Sequence, residues 1–378
     1  MDRALPRTVR CALVFAALTL AASRSAAQTL TDRLVIHGYL TQGYATTNSY
    51  MLMGIPKDGT FDYRRAALLL RFKGTPNDAF VVQIANRRLG ESPINDLTPD
   101  IALDWAFYER RLGDNTTLRL GKAPIPMGIS NETRFLGTLI PFYRVPYGFY
   151  SEGGQTSETL NGVVLTRKLN AGSKWLVTGS LFGGAYDYLE EATTTATDST
   201  PARFIVDKGV ARNLLGAQFW LQTPLPGLRV GVGASRREDE GAVTDHYTGP
   251  GATKTVWASV DGSFDRLIAR AEILNVRLGR GGANLRTYYG QVGYRIVEPL
   301  LVTVQHDVMS AEFPTPVGPF HFQFLRDNGI GVAYTFTRNV VGKLEYHDSD
   351  GYGVEAVVNF AGPPIQSRYV ISSISVSF

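Results

Sequence analysis

The last residues, Arg368-Tyr-Val-Ile-Ser-Ser-Ile-Ser-Val-Ser-Phe378, alternate apolar side chains with small polar ones and end on a phenylalanine. A period of two is the pattern of a β-strand that has one face against apolar material and the other against water. Strands of transmembrane β-barrels alternate in this way between lipid and lumen. We therefore predict that this segment is the last strand of an outer-membrane barrel, and that Phe378 is recognised by the barrel-insertion machinery.

The amino-terminal residues 1–27 have the features of a secretory signal. Three arginines precede an apolar stretch from Cys11 to Ala22, and Ser25-Ala26-Ala27 offers a small-residue cleavage site. The apolar stretch is shorter than the ~20 residues that a membrane-spanning helix needs. We expect export to the bacterial outer membrane and a mature chain that begins at Gln28.

Removal of this segment changes what the composition implies. The net charge falls from +4 to about +1, because the segment holds four arginines and one aspartate. The overall basicity is therefore no argument for a nucleic-acid partner. The single cysteine, Cys11, lies in the signal, so the mature chain has neither a disulfide framework nor a cysteine-based metal or redox site. We predict no metal and no cofactor.

The remaining chain, 28–378, contains repeated period-two runs of roughly ten residues, which is the length of a tilted transmembrane strand. In the run near 101–111, Leu103, Trp105 and Phe107 share the face predicted to meet lipid, and Asp104, Tyr108 and Arg110 share the face predicted to meet the lumen. The same division recurs with Leu215, Ala217, Phe219 and Leu221 against Arg212, Gln218 and Gln222; Leu228, Val230 and Val232 against Arg229, Ser235 and Arg237; Leu300, Val302 and Val304 against Thr303, Gln305 and Asp307; and Val340, Leu344 and Tyr346 against Lys343 and Glu345.

Connections between these runs alternate in length. Short turns rich in Gly, Pro, Asn and Asp alternate with long segments, which places short turns on the periplasmic side and long loops outside. Because both termini lie on one side, the number of strands is even, and we predict an all-β, sixteen-stranded antiparallel barrel. Gly353–Phe360 is interpreted as part of the last outer loop, although a seventeenth strand is the alternative there. A secreted β-sandwich is the competing fold, but it seldom has so many long strands joined by long loops.

The longest connection, 122–158, contains four prolines and six aromatic residues. In a wide barrel the interior is an aqueous channel unless something narrows it, and a stiff aromatic loop can fold inward and pack on the wall. We predict that this third outer loop forms a constriction controlled by Lys122, Arg134 and Arg144, in competition with Glu132, Glu152 and Glu158. The alternative is a loop that covers the barrel mouth with solvated charges.

The predicted inward positions of the strands carry an excess of basic residues. This basic wall consists of Arg65, Arg71, Arg87, Arg110, Arg119, Lys174, Arg212, Arg229, Arg237, Arg270, Arg295 and Lys343. Four acids, Asp104, Glu272, Asp307 and Glu345, are predicted to share the lumen. Arginines and lysines along an aqueous pore lower the barrier for anions, so we predict a mild preference for anions.

Three motifs resemble those of the phosphate-selective porin O/P family. They are Phe61-Asp-Tyr-Arg-Arg-Ala-Ala-Leu-Leu-Leu-Arg-Phe-Lys-Gly74, Asp104-Trp-Ala-Phe-Tyr-Glu-Arg-Arg111 and Leu118-Arg-Leu-Gly-Lys-Ala-Pro-Ile-Pro-Met-Gly128. The resemblance implies a sixteen-stranded porin, often a homotrimer, with arginines on an inward-folded third loop and a basic ladder in the lumen. Arg134 and Arg144 lie in the corresponding loop, without a dense arginine cluster, and phosphate is the substrate that the resemblance implies.

Other function classes have less support in the sequence. His37, His246, His306, His321 and His347 are scattered, and no Gly-x-Ser-x-Gly or His-Glu-x-x-His motif is present. His306–Asp307 and His347–Asp348 are sequence neighbours, so on a strand they point to opposite faces. We predict no catalytic residue and no enzyme activity, with a barrel hydrolase or an adhesive or structural barrel as alternatives. The prediction is a passive outer-membrane porin for small hydrophilic solutes.

Overall fold

The computed structural model describes residues 33–48, 53–92, 94–151, 158–170, 172, 174–193, 204–241, 251–279, 281–352 and 364–378. The predicted signal, 1–27, and the ambiguous segment Gly353–Phe360 lie outside these residues. Both assignments therefore stay predictions.

The described chain is built from sixteen strands and two short helices. The strands are β1 Leu34–Thr47, β2 Thr60–Thr75, β3 Asp78–Leu89, β4 Ala102–Arg111, β5 Thr116–Pro124, β6 Thr159–Asn170, β7 Leu176–Thr193, β8 Phe204–Gln222, β9 Leu228–Gly241, β10 Thr253–Phe264, β11 Leu267–Arg277, β12 Asn284–Val297, β13 Leu300–Thr315, β14 Gly318–Thr337, β15 Val340–Gly351 and β16 Ile365–Ser377. The helices are α1 Ile94–Leu97, after β3, and α2 Tyr147–Tyr150, between β5 and β6. Among the described residues no helix is both long and apolar enough to cross a membrane.

The sheet closes on itself. Each strand pairs antiparallel with its neighbour in sequence, and β1 pairs with β16 through positions such as Thr41 opposite Ser375. Closure leaves no strand edge unpaired, which is the condition for a sheet to lie in lipid. The prediction of an all-β, sixteen-stranded antiparallel barrel is confirmed.

The two faces of the wall differ in chemistry as the period of two predicts. Outward side chains such as Leu40, Val256 and Ile374 are apolar and exposed. Inward side chains such as Thr41 and Ser375 are polar and buried, and their hydroxyl groups are hydrogen-bonded to each other at 3.0 Å. An apolar exterior with a polar interior is the arrangement of a membrane barrel.

Short turns lie at one end of the barrel and most of the longer connections at the other. Two outer connections are shorter than we predicted. Both described ends of the segment between Asp187 and Lys208 are strand, because β7 extends to Thr193 and β8 begins at Phe204. The link between β13 and β14 is only two residues long, since both strands run on to meet at Pro316 and Val317.

A bulge on β4 reverses part of the predicted face assignment. Gln83 of β3 pairs with Trp105, whereas the next residue, Ile84, pairs with Leu103, so Asp104 is an extra residue. An extra residue moves every later side chain to the opposite face. The predicted faces are therefore wrong for Trp105, Phe107, Tyr108 and Arg110.

The outcome is clearest for Phe107 and Arg110. Phe107 is buried in the internal hydrophobic cluster. Arg110 lies opposite Asp78 and forms an ion pair with it at 2.8 Å, on the same face as the exposed Phe80. Arg110 is thus not a lumenal residue.

A second bulge, on β8, has the same effect on Arg212. Register shifts between Arg212 and Leu215, and Asn213 adopts a positive φ of 51°. Arg212 therefore lies on the outer face opposite Glu238 and forms an ion pair with Glu240 at 2.6 Å. The faces predicted for β9, β13 and β15 agree with the observed register.

Candidate functional site

The connection between β5 and β6 lies inside the barrel. Its main-chain N–H groups donate hydrogen bonds to inward side chains of four separate strands: Gly128 to Gln218 on β8 at 2.7 Å, Ile129 to Glu272 on β11 at 2.9 Å, Gly148 to Asp307 on β13 at 3.0 Å and Tyr143 to Glu345 on β15 at 2.5 Å. Because these strands occupy different sectors of the wall, the loop crosses the lumen. We call its described residues, 125–151 and 158, the internal loop.

Glu272 is the centre of the first attachment. Its carboxylate accepts hydrogen bonds from the main chain of Ile129 at 2.9 Å, from Ser259 at 2.5 Å, from Tyr289 at 2.7 Å and from the hydroxyl group of Tyr150. All the side-chain partners are buried or inward-facing. A carboxylate with four donors has its charge well compensated, so Glu272 fixes the loop and is not exposed to passing solutes.

A glycine, Gly128, allows the main chain of the loop to lie close to Glu272. Gly128 has a φ of +61°, and a Cβ atom there would lie 2.5 Å from the Tyr150 hydroxyl and 2.7 Å from Glu272. Glycine is therefore required at this position both for backbone conformation and for space. The main chain can approach the wall carboxylate only because no side chain intervenes.

A second attachment joins the loop to β15 and β2. Lys343 donates to the carbonyl oxygen of Phe142 at 2.9 Å, and Glu345 accepts from the N–H of Tyr143. Arg65 donates to the carbonyl oxygen of Tyr143 at 2.8 Å. One acid and two bases of the wall thus bind consecutive peptide groups of the loop, and the two bases are buried by this contact.

Behind this attachment lies a buried group that sequence reasoning did not find. His347 is 2.7 Å from Asp327 on β14, and its ring stacks on Tyr369 with centroids 4.4 Å apart. Phe142 of the loop packs edge-on against the same ring at 5.4 Å. Ser349 donates to Asp327, not to the imidazole, so the group supports the loop and does not form a nucleophile with its base.

The three predicted constriction residues have different positions. Arg134 is buried within the loop, where it donates to Asn131 at 3.2 Å and to the carbonyl oxygen of Tyr150. Arg144 is half-buried and lies over the rings of Tyr63 and Tyr147 at 5.8 and 5.7 Å. By register Lys122 shares the outward face with Leu120, and its ammonium group donates to the carbonyl oxygen of Leu103 at 2.6 Å.

These positions correct the predicted constriction. Arg134 stabilises the loop from within. The side chain of Lys122 is hydrogen-bonded to the main chain of the wall. Of the three, Arg144 alone remains a candidate to act on solutes. The prediction did not include the packing of Phe135, whose ring lies 3.7 Å from the guanidinium of Arg87, 5.0 Å from that of Arg65 and 5.3 Å from that of Arg134.

Most of the predicted basic wall does face the lumen. Of the predicted set, nine face inward by register: Arg65, Arg71, Arg87, Arg119, Arg229, Arg237, Arg270, Arg295 and Lys343. Arg110 and Arg212 are outward, as described above. Lys174 is an exposed residue of the turn between β6 and β7, not a residue of the wall.

On the β2–β5 side, three inward arginines, Arg71, Arg87 and Arg119, have acidic partners. Glu109 bridges Arg71 at 2.7 Å and Arg119 at 3.0 Å, and Arg119 also contacts Glu132 of the loop at 3.1 Å. In the same sector, Arg87 is bound to both Asp104 and Glu158. We call this sector the matched side, because each of these three arginines is paired with at least one acid.

On the β9–β12 side, below the internal loop, bases exceed acids. Asp261 is the acid between Arg229 at 2.8 Å and Arg270 at 3.0 Å. Arg295 donates to the carbonyl oxygen of Glu298 at 2.8 Å, which leaves its charge uncompensated by that contact. We call these four residues the basic side.

Two cavities adjoin these sectors. A cavity of about 120 Å³ on the basic side is lined by Arg270, Arg295, Gln291 and Thr303 together with loop residues 138–141. A cavity of about 450 Å³ on the matched side is lined by Tyr39, Gln83, Trp105, Glu132, Phe135 and Glu158, among others, and reaches Phe378. The loop therefore divides the lumen and leaves spaces against both walls. No group of His, Cys, Asp and Glu side chains suited to a metal ion occurs in the described part of the chain.

Comparison with known proteins finds similar solved structures, but no match to a family model or to a curated protein. Among solved structures, OmpF of Salmonella typhi in complex with daunomycin matches with 9% identity over 91% of this chain and 97% of that chain, with a TM-score of 0.61.

Two further structures match to a similar extent. The outer-membrane channel DcaP of Acinetobacter baumannii is 13% identical over 91% of this chain and 97% of that chain, with a TM-score of 0.57. An anion-selective porin from Comamonas acidovorans is 10% identical over 91% and 99%, with a TM-score of 0.56. At these identities the likeness concerns the fold, which is that of the sixteen-stranded outer-membrane porins.

Proposed function

We propose that this protein is an outer-membrane porin, a passive channel for small hydrophilic solutes. The observation that carries the proposal is the internal loop. Hydrogen bonds to four wall strands hold it across the lumen, so that it narrows the passage. A rigid loop across a barrel this wide limits the size of what can pass. No bond-making step is involved.

The channel is further proposed to prefer anions mildly. Support comes from the basic side, where Asp261 is paired with both Arg229 and Arg270, and Arg295 donates to the carbonyl oxygen of Glu298. In a confined pore the local excess of charge decides which ion enters more easily. On the matched side the acids compensate the bases, so the preference originates below the loop on β9–β12.

Several finer predictions belong to the same proposal. Phosphate is the anion suggested by the family resemblance, and a homotrimer in the outer membrane is the assembly that it suggests. A cleaved signal at 1–27 and recognition of Phe378 by the insertion machinery complete the proposed route to the membrane. The likeness to an anion-selective porin is in keeping with the charge argument and rests on the fold.

The test is the zero-current potential of single channels in a planar bilayer across a KCl gradient, followed by titration with phosphate. We expect discrete conductance and a potential that favours chloride. Block by phosphate at concentrations where sulfate has no effect would support phosphate as the solute. A cation-favouring potential contradicts the proposed selectivity, and absence of conductance from inserted protein contradicts the channel itself.

A further inference from the structure

The outer surface carries an unusual group of cations near the loop end of strands β9–β12. Lys254 lies directly opposite Arg236 on one side and Arg277 on the other, and Arg286 lies diagonally from Arg277 on the next strand. All four side chains are exposed. We call these four residues the outer basic patch.

The register fixes the direction of these side chains. Lys254 and Arg286 are each two residues from an exposed outward residue, Val256 and Tyr288, which are 54% and 43% exposed. Arg277 is four residues from the exposed Ile273. Residues separated by an even number on a strand share a face, so the patch faces away from the lumen.

The patch lacks the acids that accompany outward cations elsewhere at the same end of the barrel. Arg326 is bonded to Asp350, Arg368 to Asp348 at 3.3 Å, and Arg88 to Asp62 at 2.9 Å. Within the described residues, Lys254, Arg277 and Arg286 form no such ion pair. Acids thus compensate the outward cations of β3, β14 and β16, and among the described residues no acid does so for Lys254, Arg277 and Arg286.

The acids at the borders of the patch do not alter this conclusion. Glu238 lies 3.7 Å from Arg236 and also accepts a hydrogen bond from Asn213. Glu312 is separated from Arg277 by Asn284 and lies 3.4 Å from His321. The three central cations remain next to one another without an intervening carboxylate.

Like charges directly opposite each other on paired strands are destabilising. The cost is offset when an anion binds between them, and two strand spacings of about 4.8 Å place Arg236 and Arg277 about 10 Å apart. The apolar side chains immediately below, including Val256 and Ile273, suit hydrocarbon contact. The occupant therefore needs phosphate groups above an acyl chain.

We infer that the outer basic patch binds the phosphorylated headgroup of a lipid in the outer leaflet. The ammonium and guanidinium groups of Lys254, Arg277 and Arg286 contact the phosphate oxygens, and the acyl chains lie on the apolar wall below. Cations at a membrane surface attract anionic lipid by about 1 kcal/mol each, which is roughly a fivefold gain in affinity. The inference rests on the proposed membrane location but not on conductance.

The experiment measures binding of full-length folded protein to phosphatidylcholine vesicles containing diphosphoryl lipid A. The variant is K254Q/R277Q/R286Q. Its matched control is K174Q/R266Q/R338Q, which removes the same charge from exposed residues of the turns at the opposite end. We expect the patch variant to bind about a hundredfold more weakly than the parent, and the control to bind within about twofold of it.

Two further arms identify the ligand. Vesicles with dephosphorylated lipid A should bind the parent as weakly as the patch variant, and inorganic phosphate should displace the vesicles only at a large molar excess over lipid phosphate. Equal binding of the two variants overturns the inference. Equal binding of the parent to vesicles with phosphorylated and with dephosphorylated lipid A overturns it as well. Displacement by equimolar inorganic phosphate overturns the lipid as the ligand and assigns a free-anion site.

A stability measurement separates a binding defect from a folding defect. In a neutral detergent the patch variant should melt at the same temperature as the parent or slightly higher, because opposed cations have been removed. Added lipid A should raise the melting temperature of the parent and the control but not that of the variant. The patch variant should also conduct normally, so loss of lipid binding and loss of channel function are distinguishable.

Discussion

The matched side and the basic side of the lumen carry similar numbers of inward arginines but differ in their surroundings. On β2–β5, Arg71, Arg87 and Arg119 are bound to wall and loop acids. On β9–β12, Arg229 and Arg270 share Asp261, and Arg295 donates to a main-chain carbonyl oxygen. The field of an ion pair falls off faster than that of a single charge. Counting basic residues therefore says little about selectivity until their partners are known.

The largest expected effect comes from releasing the loop that separates the two sides. Replacing Glu272 with alanine removes the acceptor of four hydrogen bonds, and each buried donor left without a partner costs roughly 1–3 kcal/mol. We expect the loop to detach from β11 and single-channel conductance to rise roughly twofold or more.

Glu272→Gln is the control for this change, because the amide retains one acceptor oxygen at the same position. Its conductance should lie much closer to that of the parent. Equal and unchanged conductance in both variants would mean that the loop does not limit the passage.

Asp261→Asn should increase the electrostatic difference between the two sides. This change removes the one carboxylate between Arg229 and Arg270 and leaves three cations together on the basic side. We expect the ratio of chloride to potassium permeability to rise roughly twofold. The ratio is obtained from the zero-current potential across a salt gradient, and a fall in the ratio would contradict the assignment of Asp261 as the limiting acid.

Glu109→Gln should reduce the electrostatic difference between the two sides. The change leaves Arg71 and Arg119 without their common partner, although Glu132 still contacts Arg119. The matched side should become mildly basic, and the same permeability ratio should rise by less than about twofold. If the effect exceeded that of Asp261→Asn, the distinction between the two sides would be lost.

The smallest effect is expected from Arg110→Gln combined with Arg212→Gln. Both arginines lie on the outer face because of the bulges on β4 and β8. Their removal should leave conductance and permeability ratio unchanged. A clear loss of chloride preference would show that the two side chains reach the lumen after all.

Much of the fold could be read from the sequence. The period of two gave the faces of β9, β13, β15 and β16, and the alternation of short and long connections gave sixteen strands, because both signals are local. Bulges are not visible in such a pattern. Asp104 and Asn213 each add one residue to a strand. The predicted faces were wrong for residues that lie on different sides of such a bulge, because the period of two does not continue across it.

The site was predicted less completely, since its contacts join residues far apart in the chain. The length, prolines and aromatic residues of 122–158 indicated a structured loop. No local sequence pattern indicates that Glu272, Asp307 and Glu345 accept hydrogen bonds from its N–H groups. Nor does any indicate that Arg65 and Lys343 donate to its carbonyl oxygens. The pairing of His347 with Asp327 was missed for the same reason, because cross-strand neighbours are separated by a whole hairpin.

The central claim is that the basic side sets the selectivity of the channel. The most direct measurement compares the zero-current potentials of two variants. R229Q/R270Q/R295Q/D261N removes all four charges of the basic side, and R71Q/R119Q/E109Q/E132Q removes two bases and two acids of the matched side. We predict that the first variant loses its chloride preference, because two net positive charges disappear, and that the second retains the preference of the parent. Loss of the preference in the second variant with retention in the first would contradict the account.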